Sequence, residues 1–300
     1  MKQLKQLLYL PTWFIKTRIF GKKIPMQTVL FINDLCNLTC KHCTIYNNKT
    51  PITKSYQQIR EELIYSYNLG SRYVDLEGGE PTLWKEADKN FNSLVRLAKE
   101  IGFFSVTLTT NAFLPFNDSE SDSIWVSLDG NREYHDQIRG KNSFDRLDEN
   151  IRNSGHPRVS VNMVVNSINY SSVAETIQFA KDHPNIKSIS INFHTPFKGT
   201  EHLFLPFEQR NEVIDLVIKM KKSGYPIMNS VSGLKAMKDL NFKKVCWVTN
   251  FIMVDATKYA ECQGKAFDLC DSCGFCMAGE MHSVFSFKLD TIFAGLKLRG

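Results

Sequence analysis

Short apolar runs alternate along this chain with stretches of helical period. Residues 28–33 (TVLFIN), 72–77 (RYVDLE), 103–109 (FFSVTLT), 123–128 (SIWVSL), 158–165 (RVSVNMVV) and 187–193 (KSISINF) are rich in β-branched and aromatic residues and predict strands. Between them, Ile59, Leu63 and Tyr67 recur at helical spacing over 55–69, and Gly70 ends the run. Phe91, Leu94, Val95 and Ala98 do the same before Gly102. Further helices are expected over 143–153 and 170–182, and Pro206 opens one that runs to Gly224. Six strands, each followed by a helix or crossover, predict a parallel sheet of βα units. In such barrels the active groups sit just past the carboxyl ends of the strands.

The chain has 300 residues and 43% hydrophobic content, enough for one large barrel core or two domains. No run of eighteen apolar residues is present, so no transmembrane helix is expected, and the start does not read as a signal peptide. Eight cysteines without an export signal point to a reducing compartment, the cytoplasm. The net charge of +6 is uneven: residues 1–33 hold six Lys or Arg and no acid before Asp34, interleaved with Leu7, Leu8, Trp13, Phe14, Ile19 and Phe20. Such a segment can lie on an anionic membrane surface as a peripheral contact. The plainer reading is a helix packed across the barrel end, and Pro11, which should interrupt the helical stripe, weighs toward it. The remainder shows no basic stripe, so nucleic acid is not an expected partner.

The chemistry is concentrated at strand ends. Cys36, Cys40 and Cys43 follow the first strand at Cys-x3-Cys-x2-Cys spacing. Three thiolates on a four-iron cube leave one iron without a protein ligand. Zinc normally takes four ligands, and His42 lies between the cysteines where it does not readily converge with them. Gly78-Gly79-Glu80-Pro81 ends the second strand, with glycines that permit close backbone approach and a carboxylate that could meet a cation. Thr109-Thr110-Asn111 ends the third strand; Ser127-Leu128-Asp129-Gly130 ends the fourth, with Arg139 soon after. Five more cysteines stand at Cys246, Cys262, Cys270, Cys273 and Cys276; the first two flank an expected hairpin turning near Asp255-Ala256-Thr257. A zinc knuckle would use four of the five, and an iron–sulfur cluster four of them or three plus substrate, with no thiol singled out as the spare.

On these motifs the chain resembles the radical S-adenosylmethionine (SAM) superfamily, over residues 26–276. The resemblance implies a [4Fe–4S] cluster on Cys36, Cys40 and Cys43 whose open iron binds SAM. It implies SAM contacts from Gly78, Gly79, Glu80, Pro81 and Asn111, from Ser127 and Asp129, and from Arg139 to the SAM carboxylate. It also implies a reducing electron donor, flavodoxin or ferredoxin. The C-terminal cysteines are similar to the SPASM and twitch extensions, which implies one auxiliary [4Fe–4S] cluster. At closer range the layout is similar to the adenosylhopane synthase family, whose substrate is a large apolar lipid. The expected protein is thus a (β/α)6 partial barrel with a small cysteine-rich extension. Its parts are a basic segment (1–25), the barrel (26–225) and the auxiliary-cluster region (226–300). Its SAM-derived radical would modify an apolar lipid or isoprenoid. The alternatives are a ribosomal peptide substrate and, in another class, a non-enzymatic iron–sulfur carrier. His194, Thr195, Phe197, Lys198 and Glu201, past the sixth strand, are candidate substrate contacts, and Asn162 is an inward position on the fifth. No residue is assigned to quench the product radical.

Overall fold

The computed structural model describes residues 2–44 and 50–299. Six parallel strands form the barrel wall: β1 (Gln27–Phe31), β2 (Tyr73–Glu77), β3 (Ser105–Thr110), β4 (Ser123–Ser127), β5 (Val159–Val165) and β6 (Ile186–Phe193). They lie side by side in chain order. The helices between them are α2 (Tyr56–Leu69), α3 (Phe91–Ile101), α4 (Arg132–Arg139), α5 (Ser143–Asn153) and α6 (Val173–Asp182); α7 (Phe207–Lys222) follows β6. The (β/α)6 expectation holds, with strand boundaries within two residues of the sequence patterns. Ser55 caps α2 by accepting from the Gln58 amide, and Gly70 and Gly102 end α2 and α3 at φ +114°.

One feature of the wall follows from its alternation. In β3, Val106, Leu108 and Thr110 are buried beneath the helices, while Ser105, Thr107 and Thr109 are half-buried on the opposite face. Leu76, Leu108, Val126, Val161 and Ile191 are fully buried in the same core. Each such aliphatic side chain contributes about 1.5–3 kcal/mol. The inner face is polar: Thr107 bonds Ser123, Ser160 bonds Ser188, and Asn192 bonds Asn162.

The C-terminal region is not a separate body. β7 (Thr249–Ile252) pairs parallel to β1, and β8 (Lys258–Tyr259) pairs antiparallel to β7, so the order is β8-β7-β1-β2-β3-β4-β5-β6. The expected hairpin is present. Ala256 sits in its turn at φ +67°, a conformation that favours glycine, and Asp255 accepts from the Thr257 amide. α8 (Val231–Ala236), α9 (Gln263–Ala266), α10 (Met277–Phe285) and α11 (Leu289–Arg299) complete the fold.

The N-terminal segment is a helix packed across the barrel end, as the plainer reading expects, but Pro11 does not interrupt it. α1 (Lys2–Phe14) runs through Pro11 and continues into a π-turn over Ile15–Ile19. Proline removes one helical hydrogen bond, but tertiary packing outweighs that loss. Tyr9 donates to the Gly70 carbonyl, Trp13 Nε1 donates to the Ile24 carbonyl, and Trp13 is buried with Met26, Tyr73 and Val248. The helix therefore closes the end of the barrel where the strands begin. The side chains of Lys2 and Lys5 lie outside the described residues.

Candidate radical SAM site

The loop after β1 is built from the chain that carries it. Residue 79 donates its amide to the Asn33 carbonyl, and Glu80 donates its amide to the Leu35 carbonyl. A Cβ on Gly78 would overlap Asn33, and one on Gly79 would overlap the Leu35 backbone. Both glycines are thus required by the approach of β2's exit to the cysteine loop's entry. Pro81 starts a short 3-10 turn whose Thr82 amide donates to Glu80.

Glu80 is buried and fully engaged. Its Oε1 accepts from the Thr82 amide and hydroxyl and from Thr110 Oγ1 at 2.8 Å; its Oε2 accepts from the Asn111 amide at 2.8 Å. Burial pushes its pKa up while these bonds pull it down, and the net direction is upward. The carboxylate therefore does not await a cation; it clamps the end of β3 to the Gly-Gly turn. Asn111 in turn aims Nδ2 at Asn37 Oδ1 (2.9 Å) and at Cys36 Sγ (3.8 Å).

On the other side stand Asp129 and Arg139. Arg139 Nε donates to Asp129 Oδ2 at 2.6 Å, and its Nη1 lies 3.7 Å from Cys40 Sγ. Asp129 is fully buried and its Oδ1 accepts from the Val164 amide. Burial alone would raise its pKa; Arg139, His42 and the amide overturn that and hold it below the ordinary carboxylate value. His42 Nε2 lies 3.7 Å from Asp129 Oδ2, and burial drops its pKa to about 4, which keeps the ring neutral. The Lys41 amide donates to the Ile138 carbonyl, which ties the cysteine loop to the end of α4. Ser127 ends β4 opposite Asn162.

The three thiols are thus approached by an amide donor at Cys36 and a guanidinium at Cys40. Burial raises the Cys36 pKa, and raises that of Cys40 to about 11 despite Arg139. Such thiols ionise when a metal takes the proton's place. Among the described residues no three Cys, His, Asp or Glu side chains are gathered closely enough for a single metal ion. A four-iron cluster instead spreads its thiolates over separate irons.

The C-terminal cysteines divide four to one. Cys246, Cys262, Cys270 and Cys273 line one small cavity together with Lys244 and Lys265. Cys276 does not line it; it is buried in the core, its amide donating to Asn192 Oδ1, and Asn192 reaches Asn162 on the inner barrel wall. Burial raises Cys246 and Cys276 to about 12 and Cys273 to about 11. The Cys273–Cys276 loop is zipped onto β6: the Phe193 amide donates to the Gly274 carbonyl, and a Cβ on Gly274 would overlap the Phe193 carbonyl.

Between the two cysteine regions lies a pocket of about 750 Å³. It reaches from Thr44, next to Cys43, to Leu269, next to Cys270, with Phe31, Phe197, Met253 and Phe267 in its walls. Lys198, Glu201 and Asp255 also line it and are exposed. Of the five residues expected past β6, Phe197, Lys198 and Glu201 face this pocket. His194 and Thr195 do not: His194 Nε2 bonds Thr200, and Thr195 Oγ1 accepts from the Gly274 amide.

Three features lay outside the sequence reading. Asp75 and Glu77 share a hydrogen bond on the inner face of β2, and burial pushes both pKa values up. Their i, i+2 spacing on a strand was the available signal. Asn192, bridging the barrel wall to Cys276, carried the same signal. Arg210 is buried without an acidic partner among the described residues. Its Nη1 donates to the Cys273 carbonyl, its plane lies 4.6 Å from the Phe193 ring centre, and Nε and Nη2 have no hydrogen-bond partner.

Comparison with known proteins agrees with this geometry. The family model described as the radical SAM superfamily matches residues 30–180. The mycofactocin maturase MftC of Mycolicibacterium smegmatis is 30% identical over 164 residues, covering 52% of this chain and 41% of that protein. A probable GTP 3',8-cyclase of Saccharolobus islandicus is 30% identical over 178 residues, covering 54% of this chain and 55% of that protein. The chain thus spans about half the length of these relatives. Among solved structures, Streptococcus suis SuiB bound to S-adenosylmethionine aligns with a TM-score of 0.65 at 15% identity, over 95% of this chain and 69% of that one. The enzyme anSMEcpe with bound AdoMet aligns at 0.64 and 17% identity, over 89% and 81%. These two show the fold. With the family model covering half its length and three cysteines in the loop past β1, the chain belongs to the radical SAM superfamily, enzymes that work with a [4Fe–4S] cluster and SAM.

Proposed function

We propose that this enzyme modifies an apolar lipid or isoprenoid group held in the pocket between its two cysteine regions. The pocket is the observation that carries the reading: apolar side chains such as Phe31, Phe197, Met253 and Phe267 make up most of its lining, and its charged residues Lys198, Glu201 and Asp255 are exposed, as are Ile52 and Phe267. An apolar body would fill the interior and a polar end would meet Lys198, Glu201 or Asp255.

Cys36, Cys40 and Cys43 would hold the catalytic cluster. Their fit rests on donors already aimed at sulfur, Asn111 at Cys36 and Arg139 at Cys40, which stabilise thiolate over thiol. A cluster held by these thiols would supply the one electron that cleaves SAM into methionine and a 5′-deoxyadenosyl radical. The protein's share is positioning and water exclusion. Gly78, Gly79, Glu80 and Pro81 are proposed to offer backbone to SAM, with Glu80 fixing that turn to Asn111. Ser127 and Asp129 are proposed to meet SAM; Arg139, held by Asp129, is proposed to serve both Cys40 and the SAM carboxylate. Cys246, Cys262, Cys270 and Cys273 would hold an auxiliary [4Fe–4S] cluster, with Cys276 as the spare thiol. We divide the chain at residues 25 and 225, as barrel with flanking segments. A flavodoxin or ferredoxin is proposed as electron donor, in the reducing cytoplasm.

A second reading, a peptide substrate, is supported by β8. It is the end strand of the sheet, its Tyr259 lines the pocket, and an extended peptide can add to such an edge. The experiment offers the reconstituted enzyme, with SAM and dithionite, either a polyisoprenoid in detergent or a short Phe-containing peptide. 5′-Deoxyadenosine release and substrate mass are read. Release stimulated by the isoprenoid and lost in Phe197→Glu is the expected result. Stimulation by the peptide alone would overturn the lipid reading in favour of the second.

A further inference from the structure

Among the described residues, eight of the fourteen exposed large hydrophobic side chains fall in two short segments. Leu8, Ile15, Ile19 and Phe20 belong to α1 and its π-turn; Ile19 is 69% and Phe20 67% exposed. Phe287, Leu289, Phe293 and Leu296 belong to the start and one face of α11, with Leu289 67% and Phe293 60% exposed. Leu289, Phe293 and Leu296 are spaced i, i+4, i+7, which places them on one side of that helix. The two segments meet: Phe14 packs on Phe287 at 5.6 Å, Arg18 lies over the Phe287 ring at 5.4 Å, and Arg18 Nε donates to the Phe285 carbonyl.

The inner side of α1 accounts for its other aromatic residues, since Tyr9, Trp13 and Phe14 face the barrel or α10. The outward residues make no such contribution to folding. Their surroundings are basic. Lys16, Arg18, Lys22, Lys23 and Lys288 are exposed beside them. Glu261 pairs with Lys23 and Lys265, and Asp290, the one acid within α11, accepts from Ser232. No helix of the described residues is long and apolar enough to cross a membrane.

We propose that α1, its π-turn and α11 form one docking face for an anionic bilayer surface. Apolar side chains flanked by lysine and arginine insert at the headgroup boundary while the cations meet lipid phosphates. Charge decides the occupant: a second copy of this chain would bring the same basic rim against itself. The face lies at the end of the barrel where the strands begin, since α1 packs on Gly70, Tyr73 and Phe104. The pocket opens past the other ends of the strands. Docking therefore holds the enzyme at a membrane with its pocket uncovered, whichever substrate it takes, and its failure would leave the proposed reaction untouched.

The test is flotation of the reconstituted full chain with vesicles of phosphatidylcholine alone and of phosphatidylcholine with phosphatidylglycerol. Binding to the anionic vesicles, weakened by salt, is expected. The double variant Phe20→Glu/Phe293→Glu should lower partitioning at least about tenfold. The variant Lys16→Glu/Lys22→Glu, altered only at exposed positions, should lower it on anionic vesicles while iron content stays at the wild-type value. No flotation of the wild type, or equal flotation of wild type and both variants, overturns the proposal. So does a wild-type dimer in light scattering that Phe20→Glu/Phe293→Glu converts to monomer without vesicle binding ever being seen.

Discussion

The two cysteine regions solve different problems with similar residues. The loop at Cys36–Cys43 offers three thiols and surrounds them with committed polar groups: Asn111 at Cys36, Arg139 at Cys40, and Asp129 and Glu80 holding those two in place. The C-terminal region offers four thiols around one cavity and few polar partners; its buried cation, Arg210, bonds only a carbonyl. On the proposed reading, three thiolates with a polar shell would leave room for a molecule that must be recognised and turned over. Four thiolates around one small cavity would hold a group that only has to stay. An open site needs chemistry around it, and a closed one needs packing.

The largest test of that contrast is removal of a thiol from each. Cys43→Ala should abolish 5′-deoxyadenosine release and lose about four irons per chain. Cys270→Ala should lose a similar amount of iron, yet its first cluster should still bind SAM, seen as a perturbed spectrum of the reduced cluster. Cys276→Ala should keep its iron. Iron loss in Cys276→Ala equal to that in Cys270→Ala would refute the four-to-one division.

A smaller effect compares the glycines that bring each region to the barrel. Gly79 and Gly274 have no room for a Cβ, each because a backbone carbonyl of a neighbouring strand exit stands in the way. Gly79→Ala and Gly274→Ala should each destabilise the fold by roughly 1–3 kcal/mol in denaturant titrations. Only the first should also weaken SAM binding. Equal SAM affinity in Gly79→Ala and wild type would separate that turn from the cofactor.

How far the chain could be read follows from the same contrast. Cys36, Gly79 and Asn111 announce themselves because each ends a strand, and strand ends follow from alternation. The polar inner wall, with Asp75 and Asn192, was written in that alternation too, at positions read only as strand. Three things were not legible. β7 joins β1 across more than two hundred residues of sequence, and nothing local encodes that pairing. The continuation of α1 through Pro11 depends on Trp13 finding a place beside Met26 and Tyr73. The isolation of Cys276 depends on Asn192 capturing its amide, a contact between residues on different elements.

Arg210 gives a redox version of the comparison. Placed at the Cys273 carbonyl, it is a buried positive charge beside the second set of thiols, whose cavity Lys244 and Lys265 also line. Reduction adds negative charge, which the guanidinium favours. Arg210→Met should lower the auxiliary cluster's potential by roughly tens of millivolts in an EPR titration. The potential of the first cluster should stay where it was, because its own cation is Arg139. Equal shifts in both would mean that the substitution loosened the fold.

The smallest effect concerns two buried glutamates, one per region. Glu80 has four donors; Glu280 on α10 has two, the amide and hydroxyl of Ser230. Burial raises both, and with fewer donors to oppose it Glu280 reaches about 7. The folded protein therefore holds that proton more tightly than the unfolded chain. Stability from this group is complete below the unfolded value near 4.5 and is lost as pH rises through about 7. Glu280→Gln removes the titration. The stability difference between wild type and variant should change by on the order of 3 kcal/mol from pH 4.5 to 8, in the variant's favour at the upper end. Because it is a difference, the opposing titrations of His42 and of His135 on α4, a fully buried ring whose pKa burial lowers to about 3, cancel. A difference that stays flat with pH would show that Ser230 suffices to keep Glu280 ionised, and that the second region is less apolar than its thiols suggest.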